Sequence, residues 1–246
     1  MKKRHELVQS PAMGRRMNVW CYGHWGTPIV VFPSAAGFAH EWDLQGMVDA
    51  LAPLLYGGKI KLYCPESNVS KAWTDKNEHP TLRMKQHLAY ERFIMEDLVP
   101  AVRRDCNSSS IRLAVSGVSL GAFYASNFAL KFPETFFYAL CMSGRYLATH
   151  FTGGFSNEDV YYSNPIAYVP NMEGEVLERV RTQTHLSLVV GQGAFEEGCT
   201  EETRTLASIL EYKGIPHSCD VWGHDVSHDW KWWHRQAWLH LSRRFT

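Results

Sequence analysis

Short apolar runs alternate along this chain with longer stretches in which apolar residues recur at helical spacing. The runs at residues 29–32, 60–64, 111–116, 137–142, 186–190 and 218–222 read as strands. Most of them are apolar at nearly every position, which suits a sheet covered on both faces. Residues 83–102 predict a helix carrying Leu88, Phe93, Leu98 and Val102, with Pro100 disturbing its end. A second helix is expected over 121–132, stopped by Pro133. Thr200 is placed to cap a third, with Glu201 and Glu202 in its first turn, Leu206, Ile209 and Leu210 on its buried side, and Gly214 and Pro216 past its end. A last helix should begin near Asp229 and carry Trp230, Trp233, Ala237, Trp238 and Leu241. Strand and helix in alternation predict an α/β architecture: a mostly parallel central sheet with helices on both faces. Residues 147–180, rich in Gly, Asn, Tyr and Phe, fit no regular element and are expected to form a short lid-like insertion.

Composition narrows the class. The chain has 246 residues, 45% hydrophobic and 20% charged, which predicts one globular domain over 1–246 rather than a disordered chain. A formal net charge of zero implies no basic surface, so neither nucleic acid nor an anionic membrane is expected as a partner. A homo-oligomer stays open. Met1, Lys2, Lys3 and Arg4 have the charge of a secretory leader, but no apolar run follows. No stretch approaches the roughly 18 apolar residues of a membrane span, so a cytoplasmic location is expected. Cys21, Cys64, Cys106, Cys141, Cys199 and Cys219 lie far apart without a CxxC pair, which reads as reduced, mostly buried thiols.

Candidate chemistry centres on Gly117-Val118-Ser119-Leu120-Gly121. A GxSxG string arises often by chance, and its bland reading is a glycine turn with a capping serine. Here it falls between a predicted strand and a predicted helix, where a nucleophilic serine sits in a turn too sharp for side chains at the flanking positions. The turn also sets Ser119 at a helix N-terminus, which favours developing negative charge. Ser116 lies inside the strand and lacks the flanking glycines. A serine hydroxyl needs a base, and the order expected for this architecture is Ser, acid, His. His228, just before the last helix, is the preferred base over His224. Their spacing of four is one that metal sites use, but a loop does not put both on one face, so no metal is expected. The acid should follow the strand at 186–190. Glu196 is chosen, with Glu197 as runner-up and Asp220 and Asp225 behind. For the oxyanion hole the N–H of Leu120 is expected as one donor. The other should come from the loop after the strand at 29–32, at Ala35, with Ser34 or Ala36 as alternatives. Phe38, Trp42, Phe155 and Tyr162 are candidate substrate contacts, and each could equally be a core aromatic.

The string from Gly117 to Ala122, the ending from Asp225 to Trp233, the opening Phe32-Pro33-Ser34-Ala35-Ala36-Gly37 and the segment Tyr161-Tyr162-Ser163-Asn164-Pro165 together resemble the esterase family of α/β-hydrolases. That family takes in S-formylglutathione hydrolase, feruloyl and acetylxylan esterases and the mycolyltransferases. The resemblance runs from about Met17 to the C-terminus. It implies an α/β-hydrolase fold and a serine carboxylesterase acting on small or short-acyl esters, with Ser119 as nucleophile and His228 as base. It implies neither metal nor organic cofactor, and a small-molecule ester as the partner. The acid falls in a Gly-rich loop atypical of the family. An acyltransferase using the same acyl-enzyme, and a non-catalytic binding protein on a hydrolase fold, are the competing functions.

Overall fold

A computed structural model describes residues 2–246. Eight strands form one sheet: β1 Lys3–Ser10, β2 Arg15–Tyr22, β3 Thr27–Phe32, β4 Ile60–Pro65, β5 Leu113–Val118, β6 Phe136–Met142, β7 His185–Val190 and β8 His217–Val221. Their spatial order is β1-β2-β4-β3-β5-β6-β7-β8. The pairs from β4 to β8 are parallel, whereas β1 pairs β2, and β2 pairs β4, antiparallel. The six runs read as strands are all present, within two residues of the expected bounds. The hairpin of β1 and β2 was not foreseen, because it carries no solid apolar run. β1 alternates between exposed and half-buried positions, and its charges at Lys3, Arg4 and Glu6 suit an edge strand. Only Met17, Val19 and Cys21 of β2 give the period-two pattern of a one-sided strand.

Alternate residues of the central strands feed two cores. Val30, Phe32, Val115, Ala139, Cys141, Leu186 and Leu188 face one. Ile29, Val31, Ala114, Val118, Leu140, Met142 and Val189 face the other. Six helices matter for the site: α1 Pro80–Arg92, α2 Val99–Asp105, α3 Leu120–Lys131, α4 Gly174–Gln183, α5 Glu197–Tyr212 and α6 Trp230–Phe245. α1 to α5 cover the first core, while α6 and three helical turns between Glu41 and Tyr56 cover the second.

Three expectations change. The helix expected over 83–102 starts earlier, at Pro80, with the His79 ring accepting from the Thr81 N–H at 3.3 Å. It then passes through a π-helical turn, Phe93–Leu98, into α2. Pro100 has no N–H to give the carbonyl four residues back, and a wider turn just before it accommodates that loss. Thr200 is not a cap. α5 begins at Glu197, and the Thr200 hydroxyl is shared between the carbonyls of Gly191 and Glu196, each at 2.8 Å. The segment 147–180 is not structureless: it contains short turns of helix and the start of α4. Ala148, Val160, Tyr168 and Val169 bury themselves in the first core, so the insertion is anchored rather than detached. Among the described residues no helix is long and apolar enough to cross a membrane.

Candidate active site

The carboxyl ends of β3, β5, β6, β7 and β8 converge on one edge of the sheet, where an open α/β sheet offers its binding crevice. β5 delivers Ser119, which joins strand to helix with φ 54° and ψ −121°. That left-handed geometry costs a non-glycine residue about 1–3 kcal/mol. It is held by the Ser119 N–H donating to Met142 O at 2.9 Å. The flanking glycines are required. A Cβ on Gly117 would lie 2.3 Å from the Gly121 carbonyl group, and one on Gly121 would lie 2.4 Å from Phe32 O.

His228 stands two residues before α6. Its Nε2 is 3.0 Å from Ser119 Oγ and its Nδ1 is 3.4 Å from Glu196 Oε2. Glu196 is fully buried, whereas Glu197 is exposed. Asp220 is engaged by Trp222 Nε1 and His240, and His224 and Asp225 are exposed. The Gly-rich loop now has a reason. Cβ atoms on Gly191 and Gly193 would meet Val226 backbone atoms at 2.1 and 2.8 Å. These glycines let the Glu196 loop lie directly on the His228 loop. The Gly193 N–H donates to Val226 O at 2.8 Å and the His228 N–H to Ala194 O at 3.0 Å.

Several partners were not foreseen from the sequence. Ser143, at the end of β6, donates to Glu196 Oε1 at 2.5 Å and accepts from Trp233 Nε1 at 2.9 Å. The Trp233 ring also meets His228 edge-on, with centroids 4.8 Å apart. Cys199, in the first turn of α5, puts Sγ 3.9 Å from His228 Nδ1. Burial, then the charge of Glu196, pushes this thiol up to about 12, so it is a protonated thiol at neutral pH. The ligand atoms of Glu196, Cys199 and His228 lie within 4.8 Å of one another and are the candidate metal donors here. No sequence spacing links Ser143, Cys199 and Trp233, because each arrives from a separate strand end or helix.

The loop after β3 is pinned by buried Glu41. Its carboxylate takes the Ser34 N–H at 2.6 Å and also the Ser34 hydroxyl. Burial raises the Glu41 carboxyl, while the Ser34 bonds oppose that shift. The Ala36 N–H donates to Ser34 Oγ and the Gly37 N–H to Ser34 O. Among the described residues, the N–H of Ala35 has no protein acceptor. Leu120 begins α3, so its N–H belongs to the unpaired first turn.

The expected substrate contacts scatter. Phe38 is exposed on the loop after β3. Trp42 is buried in the second core, so it packs there rather than lining an open wall. Phe155 packs against the first core and the His79 ring. Tyr162 lines a cleft of about 480 Å³ with Leu130, Lys131 and Phe132. That is the far end of α3 from Ser119, about 18 Å along a helix of this length.

The family model described as "Putative esterase" matches residues 10–238. No curated protein matches the sequence. Among solved structures, a ferulic acid esterase superposes with a TM-score of 0.77 at 16% identity, covering 99% of this chain and 97% of its own. An S-formylglutathione hydrolase from Agrobacterium tumefaciens gives 0.74 at 14%, covering 100% and 99%. MPT51 of Mycobacterium tuberculosis gives 0.74 at 15%, covering 99% and 97%. At such identities these likenesses carry the fold, and the family match carries the activity class. The chain belongs to this esterase family, as a carboxylic ester hydrolase of α/β-hydrolase fold.

Proposed function

We propose that the protein is a serine carboxylesterase that forms an acyl-enzyme on Ser119. The observation that carries this reading is the unbroken line of contacts from Ser119 Oγ through His228 to buried Glu196, begun at a strained strand-to-helix turn. His228 Nε2 takes the serine proton as Oγ attacks the ester carbonyl. Glu196 orients the ring through Nδ1–H and stabilises the imidazolium. The N–H groups of Leu120 and Ala35 receive the oxyanion. His228 then returns the proton to the leaving alcohol, and water releases the acid by the same route.

The acyl group is short in this reading. Trp73, Phe123 and Phe151 pack on one another with centroids 5.0–5.8 Å apart beside the first turn of α3, and this filled core next to the Ser119 turn supports a short acyl group. Four of the six cysteines are buried and all six are unpaired, which supports a reducing compartment such as the cytoplasm.

A fluorophosphonate probe tests the nucleophile. Labelling of the wild type at Ser119, lost in Ser119→Ala and His228→Ala, is the expected result. Turnover of a nitrophenyl acetate should fall by about a million-fold in Ser119→Ala. Esterase activity surviving in a folded Ser119→Ala variant would overturn the assignment.

A further inference from the structure

We propose that Glu196, Cys199 and His228 also form a binding site for one thiophilic divalent cation of the zinc and cadmium class, whose occupation switches the Ser119 centre off. The second half rests on the roles given above to Ser119 and His228; the binding does not.

The donor set fits such an ion. Tetrahedral zinc with bonds of about 2.0–2.3 Å to N, O and S holds its ligand atoms about 3.3–3.7 Å apart. Here His228 Nδ1 is 3.4 Å from Glu196 Oε2 and 3.9 Å from Cys199 Sγ, and all three atoms lie within 4.8 Å of one another. Shifts of up to about 1 Å, the largest between Glu196 and Cys199, close that set around a metal. A thiolate and a carboxylate together neutralise the dication, and one imidazole completes a three-protein-ligand site with a fourth position for water. The donors are already held in place. Ser143 fixes the other oxygen of Glu196, and Cys199 sits in the first turn of α5. The cover is thin, since Ala194, Phe195 and Glu197 around Glu196 are exposed. The motif spacing of His224 and His228 plays no part, because His224 is exposed on its loop.

The chemical consequence follows from the two ring nitrogens. Binding releases the Cys199 proton to solvent as the S–metal bond forms. The Nδ1 lone pair goes to the metal, so the neutral imidazole must carry its single proton on Nε2. Nε2 then faces Ser119 Oγ as a donor, and the centre has lost its base. Glu196, turned to the metal, no longer orients Nδ1–H. One proton is released for each metal ion bound, and no redox change is involved.

Chelator-treated enzyme titrated with Cd²⁺ tests both halves. The thiolate-to-cadmium ultraviolet absorption should saturate at one equivalent. The rate of fluorophosphonate labelling at Ser119 should fall at least about ten-fold in step, and a chelator should restore it. In Cys199→Ala, with each rate taken relative to that variant's own metal-free rate, the midpoint should rise at least about ten-fold and the absorption should be lost. Cys219→Ala, which removes the exposed thiol, should titrate like the wild type. Cys199→Ser serves if the alanine variant does not fold. Equal midpoints in wild type and Cys199→Ala, or absorption that disappears with Cys219 instead, would overturn the site. Saturated absorption with undiminished labelling would overturn the switch. If the metal-free wild type is not labelled at Ser119, the esterase mechanism fails, and the absorption titration still decides the metal site.

Discussion

Glu196 differs from an ordinary buried carboxylate in what secures each of its oxygens. One faces His228 Nδ1 at 3.4 Å, and the other takes a 2.5 Å hydrogen bond from Ser143, whose own oxygen is oriented by Trp233. Removing the Ser143 hydroxyl takes away a charge-assisted bond worth about 1.5–3 kcal/mol. Part of that loss should appear as a misplaced acid. Ser143→Ala is therefore expected to lower kcat about 3- to 30-fold with little change in KM, against about 10⁴-fold for Glu196→Gln. Steady-state kinetics on a short nitrophenyl ester separates the two. A Ser143→Ala enzyme with unchanged kcat would mean that burial alone positions Glu196. The order of serine, acid and histidine along the chain was legible because the architecture delivers each from a strand end of known sequence position. Ser143, Trp233, Cys199 and Glu41 were not legible, because their polar partners are 7 to 90 residues away and meet them only once the loops are stacked.

The elements that came through clearly in the sequence are those whose patterning is decided locally. Strands β4 to β8 lie between helices, and β3 to β7 carry near-continuous apolar runs. α6 has its cap at Asp229, whose side chain accepts from the Lys231 N–H at 2.9 Å. The β1–β2 hairpin hid because half-exposed strands at a charged edge resemble loop in a one-dimensional reading. α5 hid its true start because Thr200, a good capping residue by type, spends its hydroxyl on two carbonyls instead. The loop from Gly191 to Glu196 shows what glycine content means at this scale. It is a seat for a second loop. Gly191→Ala would drive a Cβ to 2.1 Å from Val226 O, so the two loops must separate. The expected result is about 1–3 kcal/mol of lost stability, with a fall in kcat larger than any change in KM. Denaturant melts and kinetics on the same preparation would show whether the two losses occur together. Stability lost without loss of kcat would show that the contact does not position His228.

At the scale of the whole molecule, the first core holds a group that links folding to pH. His87 on α1 is buried, with Nδ1 accepting from Trp73 Nε1 at 3.2 Å and its ring tilted against Tyr124 of α3. Burial first, and the Lys131 charge second, lower its pKa from 6.5 to about 3. The sign follows from proton counting. Below pH 6.5 the unfolded chain binds a proton at this residue and the folded chain does not, so acid favours unfolding. Each pH unit between 6.5 and about 3 should remove about 1.4 kcal/mol on account of this residue. His185 and His240, both lowered chiefly by burial, act in the same direction below their ordinary value. The Asp105 carboxylate is held below its usual range first by the hydrogen bonds from Arg4, with Lys61 and Tyr63 adding to them. It contributes stability that is present above about pH 4 and is lost in stronger acid, at the far end of the same window. His87→Asn keeps an acceptor for Trp73 Nε1 and removes the titration. Urea unfolding of the two proteins across about pH 6 to 4 should give a wild-type slope steeper by roughly one proton. Parallel curves would show that His87 is protonated as readily in the folded core as in water, which its burial between α1 and α3 argues against.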